Sequence, residues 1–283
     1  MIFDEKTSSP FSDDFYRRIS SLIYDRTGLS FTESSRFFLE KRLETRLSAL
    51  GITACEDYLG YLMFDGDSDR EWDALITLIT TNETYFMREE RQLKCFKEDI
   101  LPEIARKNPG KKIRIWSAGC SSGEEPYSIA ILTKECRAVT DQMVEIFATD
   151  INSRVIQRAK DGVYGDSSFR AVDEAFKARW FTSDGPQKWR IKEEIKKRVT
   201  FQRFNLFDIE RYSILVPFDV IFCRNVIIYF DLEAKVRVVE RFHDKLAEGG
   251  YLLLGHSESL ISVTEKFRLV HLPHDLVYRK EHQ

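Results

Sequence analysis

The chain has 283 residues, 43% of them apolar, enough for one large domain or two ordinary ones with a substantial core. A formal net charge of −3 supplies no global attraction for nucleic acid, so we expect no nucleic-acid partner. Five scattered cysteines without a CxxC pair argue against a disulfide framework or a zinc knuckle.

The first residues, MIFDEKTSSPFSDD, carry neither a basic nor an apolar leader region, and no later run approaches the roughly 20 apolar residues that span a bilayer. With the cysteine pattern this predicts a cytoplasmic protein with no direct membrane insertion. Residues 11–80 read as helices, because Phe15, Ile19, Leu22 and Ile23 recur at helical spacing, as do Leu39, Leu43, Leu47 and Leu50. Trp72, Leu75, Ile76 and Ile79 form a third stripe, and Ser12 before Asp13 and Asp14 is a natural N-cap. Residues 1–81 are therefore expected to form a small helical domain. Residues 88–106 read as a connecting helix, closed by the breaker Lys107-Asn108-Pro109-Gly110.

From Ile113 onward short apolar strands alternate with helical patterns: 113–116, a helix from Pro126, 144–148, a helix over 153–160, then 199–204, 218–223 and 251–255. Such alternation predicts an α/β fold with a doubly wound, mainly parallel sheet. Residues 162–198 break the rhythm, with a helix near Val172 to Trp180 and a hairpin at Ser183-Asp184-Gly185-Pro186, and read as an insertion. Residues 267–272 and 275–280 supply two final strands about a turn at Pro273-His274. The expected organisation is a helical domain over 1–81, a linker and connecting helix over 82–110, and a catalytic domain over 111–283 with the insertion at about 162–198.

Ligands of open α/β sheets bind at the carboxyl ends of the strands. There the sequence places Gly119-Cys120-Ser121-Ser122-Gly123 between a strand and a helix, with Glu124-Glu125-Pro126 opening that helix and the proline suited to the first helical position. A dinucleotide's pyrophosphate would be repelled by two carboxylates, whereas the ammonium and sulfonium of S-adenosylmethionine would be attracted. Compensation of the helix dipole is the other reading of those acids. Asp150 ends the second strand, where it can accept both ribose hydroxyls or cap the following helix. Asn205 and Leu206 follow the third strand, at a place suited to the adenine. Asn225 follows the fourth, suited to the methionine end, and each asparagine is equally a turn residue. The five histidines, His243, His256, His271, His274 and His282, have no metal-ligand company, so no metal is expected. Gly119-Cys120-Ser121 has no matching histidine and acid for a covalent hydrolase.

With these residues in hand, the chain resembles the chemotaxis receptor glutamate methyltransferases over nearly its whole length. The resemblance is carried by Thr80-Thr81-Asn82-Glu83-Thr84-Tyr85-Phe86-Met87-Arg88, by Trp116-Ser117-Ala118-Gly119 with Gly123-Glu124-Glu125-Pro126-Tyr127-Ser128, and by Ala148-Thr149-Asp150-Ile151. Phe222-Cys223-Arg224-Asn225-Val226 with Ile228-Tyr229-Phe230, and Gly255-His256-Ser257-Glu258, complete it. It implies a class I methyltransferase-like sheet, a helical N-terminal domain and a small inserted β-subdomain. It also implies cofactor contacts from Asn82, Thr84, Arg88, Glu125, Asp150, Asn205, Leu206, Arg224 and Asn225, beside the Gly119 turn. The implied reaction passes a methyl group from S-adenosylmethionine to glutamates of a chemotaxis receptor cytoplasmic domain, releasing S-adenosylhomocysteine. Arg88 and Tyr229 are our candidates for orienting the acceptor carboxylate and shaping the methyl-transfer pocket; an ion pair for Arg88 and a core position for Tyr229 are the other readings.

Three alternatives follow from the same residues: a methyltransferase of this fold acting on RNA or a small molecule, a non-catalytic adaptor that binds S-adenosylmethionine, and a nicotinamide oxidoreductase. In some members of the resembled family the insertion docks a receptor's C-terminal tether; here that region, 180–189, is compact. Residues 36–46 carry four basic side chains, a face suited to an acidic receptor helix or simply to water.

Overall fold

A computed structural model describes residues 11–281, and the chain divides into two compact units, Met1–Thr81 and Asn82–Gln283. Residues 1–10 of the stretch read for a leader, and His282, lie outside the described residues. No helix among the described residues is long and apolar enough to cross a membrane.

The first unit is built from α1 (Asp13–Thr27), α2 (Arg36–Leu50), α3 (Cys55–Phe64) and α4 (Ser68–Ile79). Ser12 caps α1, its hydroxyl accepting from the Phe15 N–H at 3.1 Å, and Gly28 and Gly51 end α1 and α2 in the left-handed region that favours glycine. The stripes converge on one core of Phe15, Ile19, Ile23, Leu39, Leu43, Tyr58 and Leu75. The basic face read on α2 is smaller than the sequence suggests. Arg36 is taken up by Asp13 and Glu40 at 2.7 Å each, and Arg46 forks onto Glu71 at 2.8 and 2.5 Å. The Tyr58 hydroxyl donates to the same Glu71 carboxylate at 2.6 Å, so this acid is buried but satisfied.

The second unit opens with the segment 82–89, followed by α5 (Glu90–Cys95), a π turn (Phe96–Ile100) and α6 (Leu101–Lys107). The helix expected from Arg88 starts two residues later because Met87 and Glu89 have φ of 61° and 56°, which a right-handed helix cannot absorb. Phe86, Leu93, Phe96, Ile100 and Leu101 are all buried in the unit's core.

The remaining elements are β1 (Ile113–Ala118), α7 (Glu124–Glu135), β2 (Val144–Asp150), α8 (Ser153–Asp161), β3 (Val163–Gly165), α9 (Glu174–Trp180), β4 (Phe181–Ser183), β5 (Lys188–Ile191) and α10 (Glu193–Lys196). They continue with β6 (Val199–Arg203), β7 (Phe218–Cys223), α11 (Leu232–Lys245), β8 (Leu246–Leu254), β9 (Phe267–His271) and β10 (Leu276–Lys280). A seven-stranded sheet runs β6-β2-β1-β7-β8-β10-β9, parallel from β6 to β8 and closed by antiparallel pairings of β10 with β8 and β9. The chain moves from β1 towards β6 through α7 and α8, and from β7 towards β8 through α11. Right-handed crossovers running in opposite directions put these helices on opposite faces, which is the doubly wound arrangement. The parallel strands read as apolar runs because both faces are covered; β1, β7 and the end of β8 are buried almost throughout.

The insertion is the small antiparallel sheet β3-β5-β4 with α9 and α10. Phe86 anchors the 82–89 segment to it, with ring centroids 4.9 Å from Tyr164, 5.2 Å from Phe169 and 4.9 Å from Phe181. Helix α7 begins at Glu124, with Pro126 at its third position instead of its first; the proline is tolerated because first-turn N–H groups have no intrahelical partner. His274, expected as a turn residue, also lies 2.9 Å from Asp99 and so joins the final turn to the π turn.

Candidate functional site

Strands β1, β2, β7 and β8 end together, with the Ala118↔Thr149 and Cys223↔Leu254 pairs closing the registers at one edge. Four loops leave that edge, the 82–89 segment lies against them, and backbone strain among the described residues gathers in the two together. Six described non-glycine residues have positive φ, and Met87, Glu89, Ser121 and Asn225 among them sit in or against these loops. Strain of this kind persists where surrounding structure over-determines it, and it gathers at binding sites.

The glycine turn is tightly built. The N–H groups of Gly119 and Cys120 both donate to the Thr149 carbonyl at 2.8 Å, and the Ser121 N–H donates to Asp150 Oδ2 at 2.9 Å. Gly119 has φ of 85°, and a Cβ there would stand 2.3 Å from a Val226 methyl. Only a glycine lets this backbone close on the loop after β7.

Asp150 lies at the centre. Its Oδ1 accepts from the Asn152 N–H at 2.9 Å, and burial pushes its carboxyl above the usual carboxylate range, opposed by the N–H groups of Asn152 and Ser121. It does not cap α8; Asn152 does, accepting from Arg154 and Val155 N–H. That leaves Asp150 tied to the backbone on one side of each oxygen, with a second lone pair on each.

The two acids at the start of α7 part company. Glu124 is buried and spanned by the Ser122 and Ser168 hydroxyls at 2.8 Å each, so it holds the insertion to the sheet edge and takes no part in the site. Glu125 faces the strand ends instead. Its Oε1 accepts from the Ser117 hydroxyl at 2.7 Å, its Oε2 lies 3.4 Å from Arg224, and burial raises its carboxyl pKa while Arg224 draws it down.

Arg224 is a strut. Its side chain is 2% exposed, bound to Glu89 Oε2 at 3.1 Å, to Glu125 and to the Arg88 carbonyl. Arg88 itself is half-buried, donating to the Glu83 carbonyl at 3.1 Å with its guanidinium 5.7 Å from the Tyr85 ring; no described carboxylate forms an ion pair with it. Asn82 offers its carbonyl to the Ser121 hydroxyl at 3.1 Å, and Thr84 is half-buried on the same segment. Asn205 accepts from the Phe207 N–H at 3.0 Å in a local turn, and Leu206 is buried beside it. Asn225 Oδ1 is buried without a hydrogen-bond partner. Tyr229, at the end of the short 3-10 turn Ile227–Tyr229, is 38% exposed and hence not a core residue.

Sequence reasoning missed Glu89, Ser117 and Ser121, which face the site only because distant segments meet. It also gave no role to Glu258, although the motif containing it was noted.

These features fit S-adenosylmethionine. Glu89, Glu125 and Asp150 outnumber Arg224 and Arg88 at this edge, which suits a cation; Asn225 Oδ1 is an orphan acceptor suited to an ammonium, and Asp150 is a buried carboxylate suited to paired hydroxyls. A doubly wound sheet carrying such an edge fits the class of S-adenosylmethionine-dependent methyltransferases.

Comparison with known proteins gives the particular family. Residues 82–276 match the model described as CheR methyltransferase, SAM binding domain, and residues 14–80 match CheR methyltransferase, all-alpha domain. The chain is 36% identical to "Chemotaxis protein methyltransferase 2" of Vibrio cholerae, covering 96% of this chain and 94% of that protein. It is 39% identical to "Chemotaxis protein methyltransferase" of Klebsiella aerogenes (92% and 88% covered) and 36% identical to that of Escherichia coli (91% and 88%). The chain belongs to the CheR methyltransferase family.

Proposed function

We propose that this methyltransferase esterifies glutamate side chains in the cytoplasmic domain of chemotaxis receptors, serving sensory adaptation from the cytoplasm. What carries the reading is the family match over both units, with relatives named as chemotaxis methyltransferases. When bound, S-adenosylmethionine supplies an electrophilic methyl group and leaves as S-adenosylhomocysteine.

The chain's own residues have modest chemistry to do. An acceptor glutamate titrates near about 4.3 and is already an anion at neutral pH, so no general base is needed. Catalysis then comes from alignment and from excluding water around charges that neutralise each other. Arg88, which forms no ion pair with a described carboxylate, orients the acceptor, and Tyr229 shapes the mouth of the pocket. Asp150 holds the ribose, Asn205 and Leu206 the adenine, and Glu125 and Asn225 the methionine end. Arg224 fixes Glu125, Gly119 permits close approach, and Asn82 and Thr84 line the site from the 82–89 segment.

The test is incubation of the purified chain with methyl-labelled S-adenosylmethionine and a receptor cytoplasmic domain. Protein-bound label released by mild alkali is the expected result; alkali-stable label, or none with a cognate receptor despite cofactor binding, overturns it.

A further inference from the structure

The parallel pairing of β7 with β8 stops at Cys223↔Leu254, and the N–H groups of Asn225, Val226 and Gly255 lie beyond its end. One side chain collects them. Glu258 Oε2 accepts from the Asn225 N–H and the Gly255 N–H at 2.7 Å each, and Oε1 accepts from the Val226 N–H at 2.9 Å. The carboxylate is folded back over the strand end by a turn in which the Glu258 N–H donates to the Gly255 carbonyl at 2.8 Å. Charged acceptors make the stronger class of hydrogen bond, and three on one carboxylate suffice to impose a backbone shape.

The shape imposed is unusual. Asn225 is held at φ 58°, the left-handed region that a non-glycine residue adopts at a cost, and this sets where its side chain points. Its Oδ1 is buried without a hydrogen-bond partner. Gly255 is part of the same device: a Cβ there would lie 2.8 Å from Asn225 Nδ2, 2.9 Å from Glu258 Oε2 and 3.0 Å from Asn225 N. Its φ is ordinary, so neighbours alone exclude a larger residue.

We propose that Glu258 is a positioning residue for cofactor binding: it clasps the loops after β7 and β8 and holds Asn225 with its amide oxygen presented to the cofactor. The inference rests on the proposed contact between Asn225 and the methionine end. With the Ile228 N–H as a fourth donor, backbone groups fill the Glu258 carboxylate, so the residue acts through Asn225 and touches no ligand itself.

The experiment is a double-mutant cycle on the full chain, read by calorimetric affinity for S-adenosylhomocysteine. Glu258→Gln keeps the volume but turns an amide donor towards N–H groups, and should weaken binding about tenfold with Asn225 present. In the Asn225→Ala background it should add nothing. A merely structural role would give the same factor in both backgrounds, and that outcome, or unchanged affinity in Glu258→Gln alone, overturns the proposal. Unchanged affinity in Asn225→Ala alone removes the Asn225 contact and the proposal with it. If Glu258→Gln does not fold by circular dichroism, Gly255→Ala wedges the same clasp and should show the same dependence on Asn225.

Discussion

Replacing Asp150 with asparagine separates its hold on the backbone from the proposed ribose contact. The side chain keeps its shape, and one oxygen still accepts from the backbone, but an NH2 group now opposes either Ser121 or Asn152 N–H. An unsatisfied buried donor costs about 1–3 kcal/mol, while the buried carboxylate, whose pKa burial has raised, no longer has to be ionised away from water. These terms oppose each other, so the thermal midpoint should move little. Cofactor affinity behaves differently. Loss of one charge-assisted bond to the ribose removes about 1.5–3 kcal/mol, which is roughly a ten- to 150-fold weaker Kd. Calorimetry with S-adenosylhomocysteine reads this directly, and an analogue lacking the ribose hydroxyls provides the control. That analogue should bind the variant and the unsubstituted chain alike. Equal weakening of both ligands would mean that Asp150 only shapes the glycine turn.

Gly119→Ala adds both a left-handed strain and a contact with Val226, and should destabilise the chain by about 2 kcal/mol or more in urea unfolding while weakening cofactor binding. In the first unit, Glu71→Gln strips a buried partner from Arg46 and should lower stability by about 3–5 kcal/mol without altering cofactor affinity. Arg88→Ala should lower kcat/KM for receptor by roughly ten- to a hundredfold in a chain that still unfolds cooperatively; unchanged turnover rules out its role with the acceptor. Burial raises the Glu125 pKa, so its folded form takes up a proton at a higher pH than the unfolded chain does. A bound cation favours the ionised form, hence S-adenosylmethionine affinity should fall as pH is lowered from neutrality through the raised titration range of Glu125, with proton release on binding. A flat affinity across that range would take Glu125 out of the cation site.

The sheet was legible because its parallel strands are buried on both faces and appear as apolar runs between glycine-rich turns. The order of helical stripes was legible too, except for α3, whose stripe of Tyr58, Leu59 and Leu62 is short and preceded by Ala54, which offers no side-chain cap. The start of α7 was misread because proline suits the whole first turn, and because two adjacent glutamates look equivalent in a sequence. On a helix they are about 100° apart, which sends Glu124 under the insertion and Glu125 to the strand ends. The segment 82–89 came into view only through family resemblance. Its alternation of left-handed residues around Arg88 produces no periodicity to read. Glu89 and Glu258 were invisible for another reason: they act on Arg224 and Asn225, at separations of 135 and 33 residues, where no local rule reaches.

The geometry also strengthens the charge argument against a dinucleotide cofactor. A pyrophosphate at a glycine turn is held by free backbone N–H groups and the helix N-terminus. Here the N–H groups of Gly119 and Cys120 are spent on Thr149, that of Ser121 on Asp150, and that of Gly123 on the Cys120 carbonyl. Pro126 removes a further donor from the first turn of α7. The turn therefore spends four of its N–H groups on itself and on a carboxylate, which makes it a poor nest for phosphate. What it gathers at the strand ends is acceptor capacity, on Asp150, Glu125 and Asn225 Oδ1, which matches hydroxyls and cationic centres. A nicotinamide dinucleotide would need those polarities reversed, so under the proposed site assignments the sheet edge would discriminate between cofactors by the sign of its hydrogen-bonding groups as much as by net charge.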